Sequence, residues 1–353
     1  MKSKFLFALC ALLFNMVIAS AAAVTVGLNP LAVFGAGTAL STLIPSTSGN
    51  LGMAVQKEIW MNSIVEGLFA DNSFLSKAFN ADEFVNAGKT VHIPNAGTGS
   101  NVVKNRSSYP ATVSARTDTD LTFNLDEFTT DPIKIPYADQ VELSYNKRES
   151  VIKQDKAKLI EDVSNDMIFN WSPASTSTIR TTGAAVLSHT TDATGNRKAF
   201  TKADVKRAMV YFNKQNVPKL GRYMLCDSEM YGQLLDSLTE NQNISFNATA
   251  DVANGIMGRL YGFNIIERST AALYTTAVVP KLLTAEGAAT DNAAVLAWHE
   301  NSVCRALGQT EMFESVKDPL YYADIYSFLV RCGGRPMRAG VEGLLAIVQD
   351  AAA

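Results

Sequence analysis

An α+β fold is what this sequence predicts, on three observations. Residues 146–171, NKRESVIKQDKAKLIEDVSNDMIFNW, carry Ile152, Leu159, Ile160, Val163, Met167 and Ile168 at helical spacing, with Lys147, Lys153, Lys156, Glu161 and Asp162 on the opposite positions, the pattern of one long helix with a buried face and a wet face. Runs that read as strands lie on both sides of it in the chain, KTVHIP at 89–94 before it and RYMLC at 222–226 after it. Beyond residue 200 short helical and short strand patterns follow one another, which is the mixture an α+β arrangement needs.

At 353 residues the chain can bury more than one core, so one large or two medium domains are expected. Hydrophobic residues at 47% and charged residues at 18% fit a globular protein. The formal charge of −3 and the pI near 5.7 argue against a dedicated nucleic-acid binder, which needs excess Lys and Arg to neutralise phosphates. Cys10, Cys226, Cys304 and Cys332 lie far apart, which is not a disulfide framework, and buried free thiols are expected.

Lys2 and Lys4 precede an apolar run from Phe5 to Ala19, broken by Asn15 alone, and Ala19-Ser20-Ala21 matches the small-x-small pattern of a signal-peptidase site. The run is short for a membrane span. It reads as a secretory signal or as an apolar N-terminal helix used in assembly and trimmed. From residue 22 to 50 the chain is nearly uncharged and rich in Gly, Ala, Thr and Pro, as in an arm that lies on something else. Gly35-Ala36-Gly37 lacks the third glycine and the strand–turn–helix context of a dinucleotide fingerprint. Val55, Ile59, Ile64, Leu68 and Phe69, with Trp60 among them, predict an amphipathic helix that packs on the core.

After the strand at 89–94, apolar alternation resumes at Leu121, Phe123 and Leu125 and again at Ile133, Ile135 and Tyr137. Between these strand signals lies a polar insertion, 95–120, of about 26 residues, far beyond an ordinary hairpin loop. It is either disordered or reaches out to a partner. Lys104, Arg106, Arg116, Asp118 and Asp120 give it charges of both signs, which suits contact with another copy of the chain. The long helix opens on Asn146 and Glu149, a capping box in outline. It ends where Ser172-Pro173 and the following Ser and Thr residues withdraw helical geometry. About 25 residues at 1.5 Å each make a rod of roughly 38 Å.

A Ser, Thr and Gly-rich linker, 173–198, leads on. Phe200 and Val205 form a hydrophobic staple around Thr201 as N-cap, opening the helix KADVKRAMVYFNKQ, which closes at Asn216-Val217-Pro218. A short strand at 222–226 follows, and Asp227 caps the helix SEMYGQLLDSL. Gly255, Gly258 and Gly262 punctuate the approach to the strand GFNIIE, and AVLAW at 294–298 makes another. Residues 312–348 alternate aromatic and polar side chains, with Tyr321, Tyr322, Tyr326 and Phe328, and read as strands returning to the earlier sheets.

The order of these pieces resembles a known family. A leading arm, a strand pair with a long loop, a spine helix, then Asn216-Val217-Pro218, Gly221-Arg222, a short strand, the DSEMY helix start, GIMGRLYGFNII at 255–266 and Gly340-Val341 are similar to the major capsid proteins of tailed bacteriophages, with the Hong Kong 97-like fold. The resemblance covers roughly residues 53–348, and it rests on order and spacing rather than on one diagnostic motif. Beyond the signal-like segment at 1–22, it implies an N-terminal arm and first helix at 23–78, and strands with an extended loop at 79–143. It further implies a peripheral domain at 144–200 built on the spine helix, an axial domain at 201–310, and C-terminal strands at 311–353 returning to both. The signal-like N-terminus departs from the family pattern, because a capsid subunit assembles around DNA inside the host. Virion-derived protein is therefore expected to lack roughly its first 20 to 50 residues, and intact-mass analysis checks this: a mature chain beginning at Met1 defeats it.

A search for chemistry agrees with a structural role. His92, His189 and His299 are scattered, with neither helical metal-ligand spacing nor a neighbouring CxxC. There is no GxSxG elbow and no GxxxxGK[ST] loop. Arg222 reads as a charged residue bordering a turn, and Asp126-Glu127 and Glu161-Asp162 read as solvated faces of helices on which adjacent carboxylates point apart. No catalytic residue, cofactor or metal site is expected, and no enzymatic activity. Some capsids of the resembled family join subunits by a self-catalysed Lys–Asn isopeptide bond; Lys104 is the one lysine placed for it, and no partner is identifiable.

The resemblance implies a subunit that self-assembles as hexamers and pentamers into the icosahedral head of a tailed phage, formed in the host cytoplasm. The resemblance adds scaffold, portal and decoration proteins and non-specifically contacted double-stranded DNA as partners, and no small-molecule substrate. The alternatives are an encapsulin-like compartment shell, or a secreted or surface bacterial protein exported by residues 1–22.

Overall fold

The structure is a computed structural model that describes residues 72–86, 89–95, 101–110, 113, 115, 118–136, 147–338 and 340–352. The signal-like segment, residues 23–71 of the arm and first helix with Trp60, Cys10, Tyr137 and the Asn146 cap lie outside the described residues.

Among the described residues, six strands precede the long helix: β1 (Phe79–Asn80), β2 (Val85–Asn86), β3 (Thr90–Asn95), β4 (Thr119–Asn124), β5 (Asp126–Thr129) and β6 (Ile133–Pro136). Helix α1 (Lys147–Trp171) is the expected 25-residue rod. The stretch expected as a linker carries β7 (Thr178–Arg180), β8 (Ala185–Leu187) and β9 (Asn196–Lys198). Then come α2 (Lys202–Lys214), β10 (Arg222–Asp227), α3 (Ser228–Ser237), α4 (Glu240–Asn247), β11 (Gly258–Leu260) and β12 (Phe263–Arg268). The chain continues through β13 (Ala272–Tyr274), β14 (Pro280–Lys281), β15 (Asn292–His299), β16 (Val303–Asp318), β17 (Ala323–Pro336), β18 (Leu344–Val348) and β19 (Ala351–Ala352).

An eight-stranded sheet runs β11-β12-β10-β15-β13-β14, with β18 joined to β15 and β7 to β18. Its strands β10 and β12 are parallel, whereas β15 is antiparallel to both β10 and β18. All eight residues of β15 are buried, because the sheet is covered on both faces and an apolar run there meets protein on either side. One face takes α2 and α3 through Val205, Ala208, Phe212, Met230 and Leu234. The other meets α1.

The second sheet is β1-β16-β17-β5, with β6 also paired to β17. Its Met312, Tyr326, Phe328 and Val330 share one core with Leu159, Ile160, Val163, Met167 and Ile168 of α1 and with Leu225, Leu296 and Ala346 of the first sheet. The helix is thus the element between two sheets, which is why its apolar positions repeat so regularly. Trp171, fully buried, fixes its C-terminal end: its Nε1 donates to the Cys304 carbonyl at 3.0 Å and its ring lies 5.8 Å from that of Trp298. Helix and strand approach so closely here that a Cβ on Gly334 would sit 2.5 Å from the Cys304 carbonyl oxygen and 2.7 Å from Trp171 Nε1.

Local signals acted as their chemistry requires. Phe200 and Val205 are both buried on either side of Thr201, and Asp204 closes the α2 start by accepting from the Thr201 N–H at 3.1 Å. Asp227 accepts the Met230 N–H at 2.6 Å and caps α3. Cys226, Cys304 and Cys332 are free and buried, and burial pushes the Cys304 thiol up to about 11.

Two further expectations need correction. Tyr321 and Tyr322 are not strand residues: they lie in the turn between β16 and β17, where Tyr322 takes φ 47°. Asp126-Glu127 is on a strand, not a helix; β5 pairs with β17, and Glu127 faces Arg331 there, Nη2 to Oε2 at 2.8 Å.

Candidate assembly surfaces

The long insertion leaves the body of the molecule on a hairpin. Strands β3 and β4 pair in register from Thr90↔Asn124 to Asn95↔Thr119, so the loop begins where the ladder stops. The base of the hairpin is anchored by the Leu125 N–H to the Lys89 carbonyl at 2.8 Å. Beneath it, Val91, Ile93 and Leu125 bury against Ala81, Cys304 and Ala306. His92 Nδ1 meets Asp120 Oδ2 at 3.1 Å across the pair. Beyond the ladder several described apolar side chains stand in solvent: Val102 is 92%, Tyr109 76% and Val113 96% exposed. Lys104 is exposed as well.

Beside α1 a groove of about 470 Å³ opens against the β5–β6 turn, with Asp131, Asp155, Lys158 and Asp162 on its walls. Burial holds the Asp155 carboxyl above its ordinary range, against the pull of Lys158. A further apolar surface sits at the tip of the β16–β17 hairpin, where Leu320, Tyr321 and Tyr322 are exposed. The tip is shaped by polar bonds, Lys317 N–H to Asp324 Oδ1 at 2.8 Å and Leu320 N–H to Asp318 Oδ1 at 2.9 Å.

Residues with chemical potential are used for structure. Arg222 is buried rather than merely bordering its turn: it donates to the Pro218 and Val217 carbonyls and to Asn213 Oδ1 at 2.7–2.9 Å, with its guanidinium 5.4 Å from the Phe212 ring centroid. His299 is buried in β15 and accepts the Asn301 N–H on Nδ1. Glu161 and Asp162 lie on the wetter side of α1. No group of three or more His, Cys, Asp or Glu that could hold a metal occurs among the described residues.

His189 was legible only as an isolated histidine, yet its Nε2 lies 2.9 Å from Asp227 Oδ2 in a cavity of about 290 Å³. Its Nδ1 is buried without a hydrogen-bond partner among the described residues. Burial lowers the imidazole's pKa, but the hydrogen bond and charge of Asp227, joined by Glu229, outweigh it and hold the group above its ordinary 6.5. A raised folded-state pKa gives stability that is complete below the unfolded value and lost as pH rises through the folded one. The melting-temperature advantage of the parent over His189→Asn is therefore expected to be largest near about pH 6 and to shrink by about pH 9. A margin that widens on going alkaline rejects the pairing.

Comparison with known proteins bears on these surfaces directly. Solved structures share the fold at low identity. The Mycobacterium phage Che8 structure aligns with a TM-score of 0.51 and 16% identity, covering 78% of this chain and 90% of that one. The capsid of the cyanophage P-SCSP1u aligns at 0.53 and 16%, over 78% and 87%, and the capsid of Ralstonia phage GP4 at 0.52 and 11%, over 78% and 88%. A search of the curated proteins finds no match. The architecture is the Hong Kong 97-like capsid fold, that of a structural shell protein. A profile of the family described as phage capsid protein matches residues 85–324, so the chain belongs to the phage capsid protein family. It is a major capsid protein, and neither the compartment-shell nor the exported-protein alternative is favoured.

Proposed function

We propose that copies of this chain assemble, as hexamers and pentamers, into the closed icosahedral head of a tailed phage, formed in the host cytoplasm around double-stranded DNA that they contact without sequence preference. The observation that carries the reading is the hairpin loop with its exposed Val102, Tyr109 and Val113, which has no core of its own and needs a neighbour to cover it. Its seat is the acidic groove beside α1 of an adjacent copy, whose carboxylates suit Lys104 and Arg106. In this reading α1 is the spine of a peripheral domain at 144–200, residues 201–310 form the axial domain, and 95–120 is the extended loop. Scaffold, portal and decoration proteins are further partners, and the chain performs no catalysis.

Negative-stain microscopy of the expressed full-length protein is the test. Closed shells of uniform diameter are the expected result. A chain recovered from the periplasm as a soluble monomer defeats the reading.

A further inference from the structure

The helices covering one face of the eight-stranded sheet divide sharply by charge. Residues 202–219, which are α2 and the turn after it, hold five basic side chains and the single acid Asp204, a formal +4. Asp204 is spent inside the fold, accepting from Thr182 Oγ1 at 2.8 Å and pairing with Arg207 at 3.3 Å. Residues 227–251, which are Asp227, α3, α4 and the segment after them, hold five acids and no Lys or Arg, a formal −5; Asp227 is buried against His189, which leaves Glu229, Asp236, Glu240 and Asp251 at the surface. A chain of net −3 thus concentrates opposite charges on two neighbouring parts of one surface.

The two parts do not neutralise each other within the molecule. They touch at the start of α2, where the Lys202 N–H donates to Ser237 Oγ at 3.0 Å and its Nζ to the neutral Gln242 Oε1 at 2.9 Å. From there α2 carries its lysines away; Lys214 stands about 18 Å along the axis from Lys202. Lys206, Lys214, Lys219, Asp236 and Glu240 are exposed, and none makes an ion pair with a described residue. Each part also carries exposed apolar side chains, Leu220 at 85% beside the bases and Ile244 at 64% among the acids. An apolar centre with a charged rim is the anatomy of a protein interface.

We infer that the basic face of α2 and the turn 216–220 docks head to tail on the acidic face of α3 and α4 of a second copy, forming the ring contact within a capsomer. The inference rests on the shell reading above. Two different patches on one chain mate either head to tail, closing into a ring when the rotation permits, or reciprocally across a two-fold axis; the five- and six-fold capsomers of the shell reading select the ring. Duplex DNA is the other polyanion the lysines attract. It is the poorer occupant, because the acids of the same surface would then be pressed toward phosphates.

Charge reversal tests this on the full-length chain. Lys206→Glu with Lys214→Glu, and separately Asp236→Lys with Glu240→Lys, are each expected to raise the concentration needed for rings and shells about tenfold or more, since like charges then face one another. The four changes combined restore complementarity with the signs exchanged, and assembly is expected to return. Sedimentation velocity reads the rings, and melting temperature confirms that each variant is folded; Lys206→Gln with Lys214→Gln replaces any reversal that melts early. If the parent assembles while both pairs assemble equally well, or the combined variant fails to recover, the inference falls and the shell reading stands. If the basic pair assembles normally and only loses affinity for a 20-base-pair duplex, the occupant is DNA and the inference falls. A parent that forms neither ring nor shell overturns both.

Discussion

Ile160→Asp is expected to destabilise the monomer itself by about 4 kcal/mol or more, most of what a domain of ordinary stability has. Ile160 is 4% exposed on the inner face of α1, in the core that the helix shares with both sheets. An aspartate there either buries a carboxylate with no partner or takes up a proton to avoid it, and both cost free energy that the native core does not return. Repacking offers little relief, because Ile160 sits among buried side chains of α1 and of both sheets. Thermal unfolding checks the size of the effect, with Ile160→Val as the control that should lose only about 1 kcal/mol. A midpoint within about 2 °C of the parent for Ile160→Asp refutes the role given to α1.

That prediction draws on what was most legible in the sequence. The helix was readable because it lies between two sheets and must present apolar residues to both at 3.6-residue spacing, as Leu159, Val163 and Met167 do. The caps at Thr201 and Asp227 were readable because they are local chemistry, complete within four residues. The assignment of strands to sheets was not, because β7, β15 and β18 join one sheet from three distant parts of the chain, and pairing between distant segments leaves no periodic mark. Strands β7 to β9 were hidden for another reason. Each is three residues long and set among Ser, Thr and Gly, so composition read them as linker. Tyr321 and Tyr322 were assigned to a strand because aromatic residues favour strands; in fact they belong to a tip that faces solvent in the isolated subunit. Of the assembly surfaces, the loop was visible as a length anomaly. The division of charge between α2 and the α3–α4 pair was present in the sequence, but it became meaningful only when both were seen on one face of the sheet.

Deleting the loop should do the opposite of Ile160→Asp: leave the fold and abolish the shell. Removal of residues 98–118 keeps the six cross-strand pairs of β3 and β4, from Thr90↔Asn124 to Asn95↔Thr119. It leaves Ala96-Gly97 to join Asn95 to Thr119, which is a two-residue hairpin turn, and Ala96→Asn would supply the Asn-Gly pair such turns prefer. The buried support of the hairpin, Val91, Ile93 and Leu125, is untouched. The described residues removed are almost all exposed, so monomer stability should change by no more than about 0.5 kcal/mol. Assembly is another matter. A polar loop whose described residues are almost all exposed gains its order from a partner, and a shell sums many such contacts, so losing one class of them from every subunit removes the driving force repeatedly. Melting temperature and light scattering of the shortened chain read the two halves of the claim independently. A shortened monomer that unfolds shows the loop to be part of the core, and one that still forms shells as efficiently as the parent shows that the neighbour contact assigned to it does not exist.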